Sequence, residues 1–240
     1  MKNYQLFCEF YDRINRKALE RQVEFYKDII SSNKITSLID MACGTGELVC
    51  KLKPELKTIH GYDLSADMIN IARKKTKSDS IFQVGNITDY FPLRKYELAS
   101  CNFDSINYLL NKKQWLNFFK NTFNVLESGG MFVFDYVTCY DIEYCWPESV
   151  NVNKSKDFVL LRLGEYIDRK KVGKEIHYWH IKVKNKWEVF KEIHYHKSFP
   201  NQEVLKLLEI AGFKVMETLD ENGGSVSETT IRVIVIAKKK

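Results

Sequence analysis

Apolar positions recur along this chain in two rhythms, and the switching between them predicts its architecture. Over residues 14–31, Leu19, Val23, Tyr26 and Ile30 follow at spacings of four, three and four. That is the stripe of an amphipathic helix. A β-rich run from Thr36 to Ala42 stops at Gly44-Thr45-Gly46, and further strands are predicted over 58–63, 80–84, 96–101 and 131–135. Helices over 66–75 and 113–126 fall between them. Such alternation builds right-handed βαβ units and a parallel, doubly wound sheet.

After Asp135 the rhythm breaks. Three β-runs, 159–163, 175–181 and 189–196, are parted by polar turns near Arg169 to Gly173 and near Asn185-Lys186. They predict an antiparallel meander, inserted as residues 140–199. A helix over 201–211 closed by Gly212 and two antiparallel strands, 213–216 and 230–236, complete the pattern. The expected fold is α/β, one domain over residues 1–240. It has a seven-stranded doubly wound sheet ending in an antiparallel hairpin.

Composition narrows the class. The 240 residues are 45% hydrophobic and 28% charged, an ordinary globular balance. No apolar run reaches the length of about 18 residues that spans a membrane. Glu9, Asp12 and Arg13 interrupt the start, where a leader would need an apolar stretch. The six cysteines form no C-x-x-C pair, so reduced, buried thiols of a cytoplasmic protein are expected. Of the net charge of +6, Lys238, Lys239 and Lys240 supply half; the remainder is too scattered for a nucleic-acid footprint.

The chemistry concentrates in Asp40-Met41-Ala42-Cys43-Gly44-Thr45-Gly46. Two glycines between strand and helix permit a tight turn and close approach of a ligand. Asp63 ends the next strand, where open α/β sheets place a carboxylate on ribose hydroxyls. The third glycine of a dinucleotide fingerprint is missing, with Leu48 and Val49 in its region. Asp40 beside the loop would repel a pyrophosphate and suit a ligand carrying ammonium and sulfonium groups.

This segment resembles the glycine-rich motif of class I S-adenosylmethionine-dependent methyltransferases, which have a Rossmann-like sheet. The resemblance runs from about Tyr11 to the C-terminus. It implies S-adenosylmethionine as cofactor, with Asp40, Ala42, Cys43, Gly44 and Gly46 around its methionine part and Asp63 on the ribose. Asp63-Leu64-Ser65-Ala66-Asp67-Met68 resembles the ribose and adenine segment, with Leu64 beside the nucleoside and Met68 packing on the base. Gly85-Asn86-Ile87 stands where the family often has Gly-Asp, and the Asn86 amide changes the donor pattern. Cys101, Asn102 and Phe103 follow the fourth strand, over the sulfonium, and Tyr11 matches a Tyr-Asp entry segment. Asp104-Ser105-Ile106-Asn107-Tyr108-Leu109 resembles the bacterial stand-alone type that acts on small molecules. It lacks the Asn/Asp-Pro-Pro-Tyr motif of enzymes that methylate exocyclic amines of nucleic acid.

Four side chains are candidates for the transfer itself. Asp104 fits either a helix N-cap or a group orienting the acceptor or the cofactor's amino group, and Asn107 lies beside it. His177 is expected opposite His194, with Trp179 and His196 on the same face. These histidines fit packing positions or a pocket that takes the acceptor's proton. No carboxylate or cysteine at ligand spacing joins them, so no metal is expected. Cys43 stands at a helix N-terminus, where a thiol pKa can fall, but without a base it fits packing better.

An activated sulfonium methyl needs mainly alignment with an acceptor lone pair, and alignment supplies roughly 7–11 kcal/mol. The leading expectation is methyl transfer to N or O of a small metabolite by a monomer or homodimer. The alternatives are a cofactor-consuming enzyme that releases methylthioadenosine and a non-catalytic cofactor-binding regulator.

Overall fold

The computed structural model describes residues 7–76, 81–89, 94–184 and 186–240. Five strands alternate with helices: β1 (Ser37–Met41), β2 (Thr58–Asp63), β3 (Phe82–Val84), β4 (Tyr96–Cys101) and β5 (Leu126–Val137). The helices between them are α2 (Glu47–Leu52), α3 (Ala66–Thr76) and α4 (Lys112–Val125), preceded by α1 (Phe7–Asn33). After β5 come β6 (Val150–Lys154), β7 (Phe158–Ile167), β8 (Val172–Val183) and β9 (Lys186–His196). The chain closes with α5 (Asn201–Ile210), β10 (Phe213–Asp220) and β11 (Arg232–Lys239).

One seven-stranded sheet has the order β10-β11-β5-β4-β1-β2-β3. Its first five strands are parallel, and β11 runs antiparallel to both β5 and β10. The expected Rossmann-like sheet with its closing hairpin is therefore observed. Strand order reverses between β1 and β4, which opens a crevice at their C-terminal ends. Aromatic residues fill the face under α4 and α5, where Trp115, Phe118, Phe119, Phe132, Phe134 and Phe213 are fully buried.

The second sheet, β6-β7-β8-β9, is antiparallel throughout. It has one strand more than the three predicted. Val150 and Val152 of β6 are exposed, so this edge strand lacks the one-sided burial that makes a strand legible. Asn185 of the predicted hairpin turn and Ser80 of the predicted third strand lie outside the described residues.

Helix α1 starts seven residues before the predicted 14–31. Its early turns pack on the second sheet: Phe10 lies 4.7 Å from Phe158 and 5.5 Å from Trp179 between ring centroids. Arg13 donates to Asp157 at 2.8 and 2.7 Å. Its neighbour Asp12 accepts from Thr45 Oγ1 at 2.5 Å and from Lys75 Nζ. One helix thus ties the second sheet to the loop after β1, using contacts that no local periodicity reveals.

Candidate active site

A cavity of about 1270 Å³ follows the crevice from the loop after β1 to the second sheet. At one end stands Asp63. Its Oδ2 accepts from Gly44 N at 2.9 Å and its Oδ1 from Ser65 N at 2.8 Å. Each carboxylate oxygen has two lone pairs, so each retains capacity for one hydroxyl of a ribose. Burial pushes the Asp63 carboxyl upward, against the pull of these two amides.

Gly44 has φ +54°, and a Cβ there would meet only Tyr11 and Met68, at 3.8 and 4.0 Å. The open space above it belongs to the cavity, which Ala42, Leu64, Asn86 and Ile87 also line. Asn86 Oδ1 accepts from Thr88 N at 3.1 Å and Oγ1 at 3.0 Å, so its amide nitrogen is the donor left to face a base. These residues fit an adenosine with an amino-acid tail: a ribose acceptor, a bare backbone turn and a thioether beside an aromatic ring.

The other glycine has a different duty. Gly46 has φ +69°, and a Cβ would come within 2.5 Å of the Phe82 ring and 2.9 Å of Ala72 Cβ. It lets α2 and α3 pack, and it does not line the cavity. Nor do Gly85, whose N–H donates to Asp63 O, and Cys101, which is fully buried.

Asp40 and Cys43 line a small space behind the loop rather than the main cavity. Asp40 Oδ1 accepts from Ser100 Oγ at 2.7 Å and from Asn102 Nδ2 at 3.4 Å, and Asn102 Oδ1 accepts from Tyr26 at 2.8 Å. Burial raises Asp40 to about 7, with the Ser100 bond opposing. Burial also pushes the Cys43 thiol well up. A thiol pushed up in this way fits packing rather than a nucleophile.

Between the two ends, Phe103 and Asp104 both adopt left-handed backbone, φ +55° and +50°. Asp135 holds this turn, accepting from Phe103 N at 3.2 Å and from Asp104 N at 2.6 Å. Arg232 spans Asp104 at 2.6 Å and Asp135 at 3.1 Å. Burial raises both carboxyls, while Arg232 pulls them back down. The Asp104 side chain makes no N-cap bond and faces the cavity instead.

Asn107 does not. It is fully buried, with Nδ2 donating to Val137 O and Lys197 O and Oδ1 accepting from Val137 N, each at 3.0 Å. Its amide is a structural clamp, and the expected catalytic position is corrected accordingly.

At the far end lie Arg162, Glu175, His177 and His196. The register pairs His177 with Glu192, and Glu175 with His194, two residues away from the expected pairing of His177 with His194. Alternation still places both histidines on one face, with ring centroids 4.2 Å apart. His194 packs behind His177, off the cavity. Two carboxylates do join them: Glu175 meets His177 Nε2 at 2.5 Å, and Glu192 lies 3.9 Å from His194 Nε2. His196, between Tyr108 and Trp146, sits 3.4 Å from Asp104 Oδ2. Burial lowers it to about 3, so it faces the cavity as a neutral imidazole.

Asp135, Glu175 and Arg232 were not among the candidates, and His196 was placed only on the face of the other two histidines. The sequence does mark Asp135 and Arg232, each a charge inside an apolar strand.

A crevice at a strand switch point, tipped by Asp63 and joined to a second, polar compartment, is where open α/β folds bind their ligands. Residues 38–130 match the family described as a methyltransferase domain. The chain is 24% identical to a putative methyltransferase of Geobacillus sp. (strain WCH70), covering 98% of this chain and 99% of that protein. Over 35% of this chain and 32% of the relative, it is 36% identical to a dTDP-3-amino-3,6-dideoxy-alpha-D-glucopyranose N,N-dimethyltransferase of Streptomyces fradiae. The fold superposes with a TM-score of 0.86 on an S-adenosylmethionine-dependent methyltransferase from Clostridium acetobutylicum ATCC 824 (22% identity, 99% of each chain). It also matches a sugar N-methyltransferase from Streptoalloteichus sp. ATCC 53650 (TM-score 0.78, 19% identity, 97% of this chain and 92% of that one). The methyltransferase domain, the relatives and the fold together indicate a class I S-adenosylmethionine-dependent methyltransferase. S-adenosylmethionine is its cofactor.

Proposed function

We propose that this enzyme methylates an amine nitrogen of a small, hydroxylated metabolite, with the second sheet roofing the acceptor. The observation that carries this reading is the single cavity running from Asp63 past Asp104 to Glu175 and His177. Its cofactor end would be held by Asp63 on the ribose, Met68 and Ile87 on the adenine, and Ala42, Gly44 and Tyr11 on the methionine part. When bound, the cofactor supplies a methyl group already activated on sulfonium.

The chain's own residues then have to place a lone pair and exclude water. Asp104, rigid between Arg232 and the Asp135-held turn, can hold an acceptor N–H or O–H. Burial lowers His177, opposed by its bond to Glu175. His177 and His196 are thus both held toward the neutral form, and the acceptor end carries carboxylates rather than a strong base. A neutral amine attacks without prior deprotonation, whereas a hydroxyl requires a base. The Streptomyces fradiae and Streptoalloteichus proteins, named for amino-sugar and sugar N-methylation, support the same choice. A free small molecule, rather than nucleic acid, fits an acceptor end enclosed by a β-sheet, and we place the enzyme in the cytoplasm.

The test is to incubate the purified protein with S-adenosylmethionine and a panel of amino sugars, nucleotide-linked amino sugars and their hydroxyl counterparts. Mass spectrometry should find N-methylated product and S-adenosylhomocysteine in equal amounts. Methylation of the hydroxyl counterparts alone, or methylthioadenosine without methylated product, would overturn the proposal.

A further inference from the structure

On β8 and β9, His177, Glu192 and His194 share one buried face. His177 and Glu192 are register partners, and His194 follows Glu192 by two residues, so strand alternation brings the three side chains together. Their ligand atoms lie within 4.8 Å of one another. Each is also held from outside. His177 Nε2 meets Glu175 Oε2 at 2.5 Å, His194 Nδ1 meets the Tyr108 hydroxyl at 3.2 Å, and Glu192 Oε2 accepts from Trp179 Nε1 at 2.9 Å.

Two imidazoles and one carboxylate are the ligand set of first-row transition metals such as iron and zinc. Ligating histidines are characteristically oriented by a carboxylate or other polar group on the second ring nitrogen. We propose that His177 through Nδ1, His194 through Nε2 and Glu192 through a carboxylate oxygen bind a divalent ion of the zinc or iron type. The tautomer follows from Glu175: a proton on Nε2 of His177 leaves the Nδ1 lone pair that a metal requires. His194 Nε2 lies 3.9 Å from Glu192 Oε2. Ligation at about 2.0–2.2 Å draws the three atoms together by side-chain rotation.

Three protein ligands leave coordination positions open. Of the three ligands only His177 lines the cavity, so the ion would lie behind the wall of the acceptor compartment. Insofar as the methyl-transfer reading holds, it would fix the His177 ring and its Glu175 partner against that compartment.

Metal-stripped full-length protein is titrated with Co²⁺ and read by visible d–d absorption and by elemental analysis, alongside Glu192→Gln and Glu175→Gln. The wild type should take about one equivalent with nitrogen and oxygen ligation. Glu192→Gln should lose the band, and Glu175→Gln should bind about 10–100-fold more weakly. Glu192→Gln should keep the unfolding midpoint and the S-adenosylmethionine affinity, which separates a lost site from a lost fold. If it does not fold, the Glu175→Gln titration decides alone. Equal Co²⁺ affinity in wild type and variants, or no band at saturating Co²⁺, overturns the assignment. Methyl transfer is not read, so failure of the proposed acceptor chemistry leaves this result standing.

Discussion

Arg232, on the last strand, places Nη2 2.6 Å from Oδ1 of Asp104 on the turn after β4. Its Nη1 lies 3.1 Å from Asp135, so one guanidinium is shared by two carboxylates at the middle of the cavity and offsets one of their two charges. Removing it leaves both charges with little compensation, the situation in which breaking a pair costs far more than the pair contributes. Arg232→Met should lose about 3 kcal/mol of stability and raise the pKa of both carboxyls further. Urea unfolding checks the first effect. A loss below about 0.5 kcal/mol would show that water in the cavity screens the carboxylates well enough without Arg232.

The two loop glycines should fail in different ways. Gly46→Ala forces a left-handed alanine into the Phe82 ring and should cost about 3 kcal/mol or more in strain and overpacking. Gly44→Ala meets open space, so only the conformational cost applies to folding, roughly 1 kcal/mol. Its methyl group enters the cavity between Tyr11 and Met68, and the Kd for S-adenosylmethionine should rise about tenfold (about 1.4 kcal/mol). Calorimetric binding and thermal unfolding of both variants separate these outcomes. Identical profiles would refute the division of labour.

Asp40 predicts a pH dependence. Its folded pKa of about 7 lies above the unfolded value of roughly 3.9, so the folded protein holds this proton more tightly. Its contribution is fully present below about pH 4. It is lost as pH rises to about 7, by an amount on the order of 4 kcal/mol. Asp40→Asn should therefore match the wild type near pH 4 and exceed it in stability at pH 8. Saturating S-adenosylmethionine, which is cationic, should narrow the gap at pH 8. Urea unfolding at both pH values is the measurement, and a gap independent of pH would contradict it.

How much of this was legible depended on the range of the forces involved. The parallel sheet could be read because β1, β2 and β4 are short apolar runs bounded by turns. Asp63 was readable from its position at a strand end. The early turns of α1 were not, because Phe10 and Arg13 find Phe158, Trp179 and Asp157 more than 140 residues away. Strand β6 has no buried face to leave a pattern. The β8–β9 register rests on the hairpin geometry, and a shift of two residues keeps the same face while changing every partner. That is why the histidine cluster was foreseen without its carboxylates, Glu175 and Glu192. Asn107 was misplaced because a buried amide that clamps backbone looks, in sequence, like any polar residue at a strand's C-terminal rim.

Asn107 and Asp104 give the sharpest contrast. Three residues apart on one turn, they should affect different observables. Asn107→Ala strands Val137 N, Val137 O and Lys197 O without their side-chain partner, which should cost about 2–4 kcal/mol. The folded fraction should keep turnover within about threefold of wild type, because the side chain does not reach the cavity (threefold is about 0.65 kcal/mol). Asp104→Asn keeps the shape and changes the charge that faces the acceptor. It should lower kcat by about 100-fold or more while shifting stability by about 1 kcal/mol, as Asp135 still holds the turn through the two backbone amides. Denaturation curves and initial rates on an accepted amine decide between them. Parallel losses of stability and rate in both variants would mean that Asp104, like Asn107, only builds the turn.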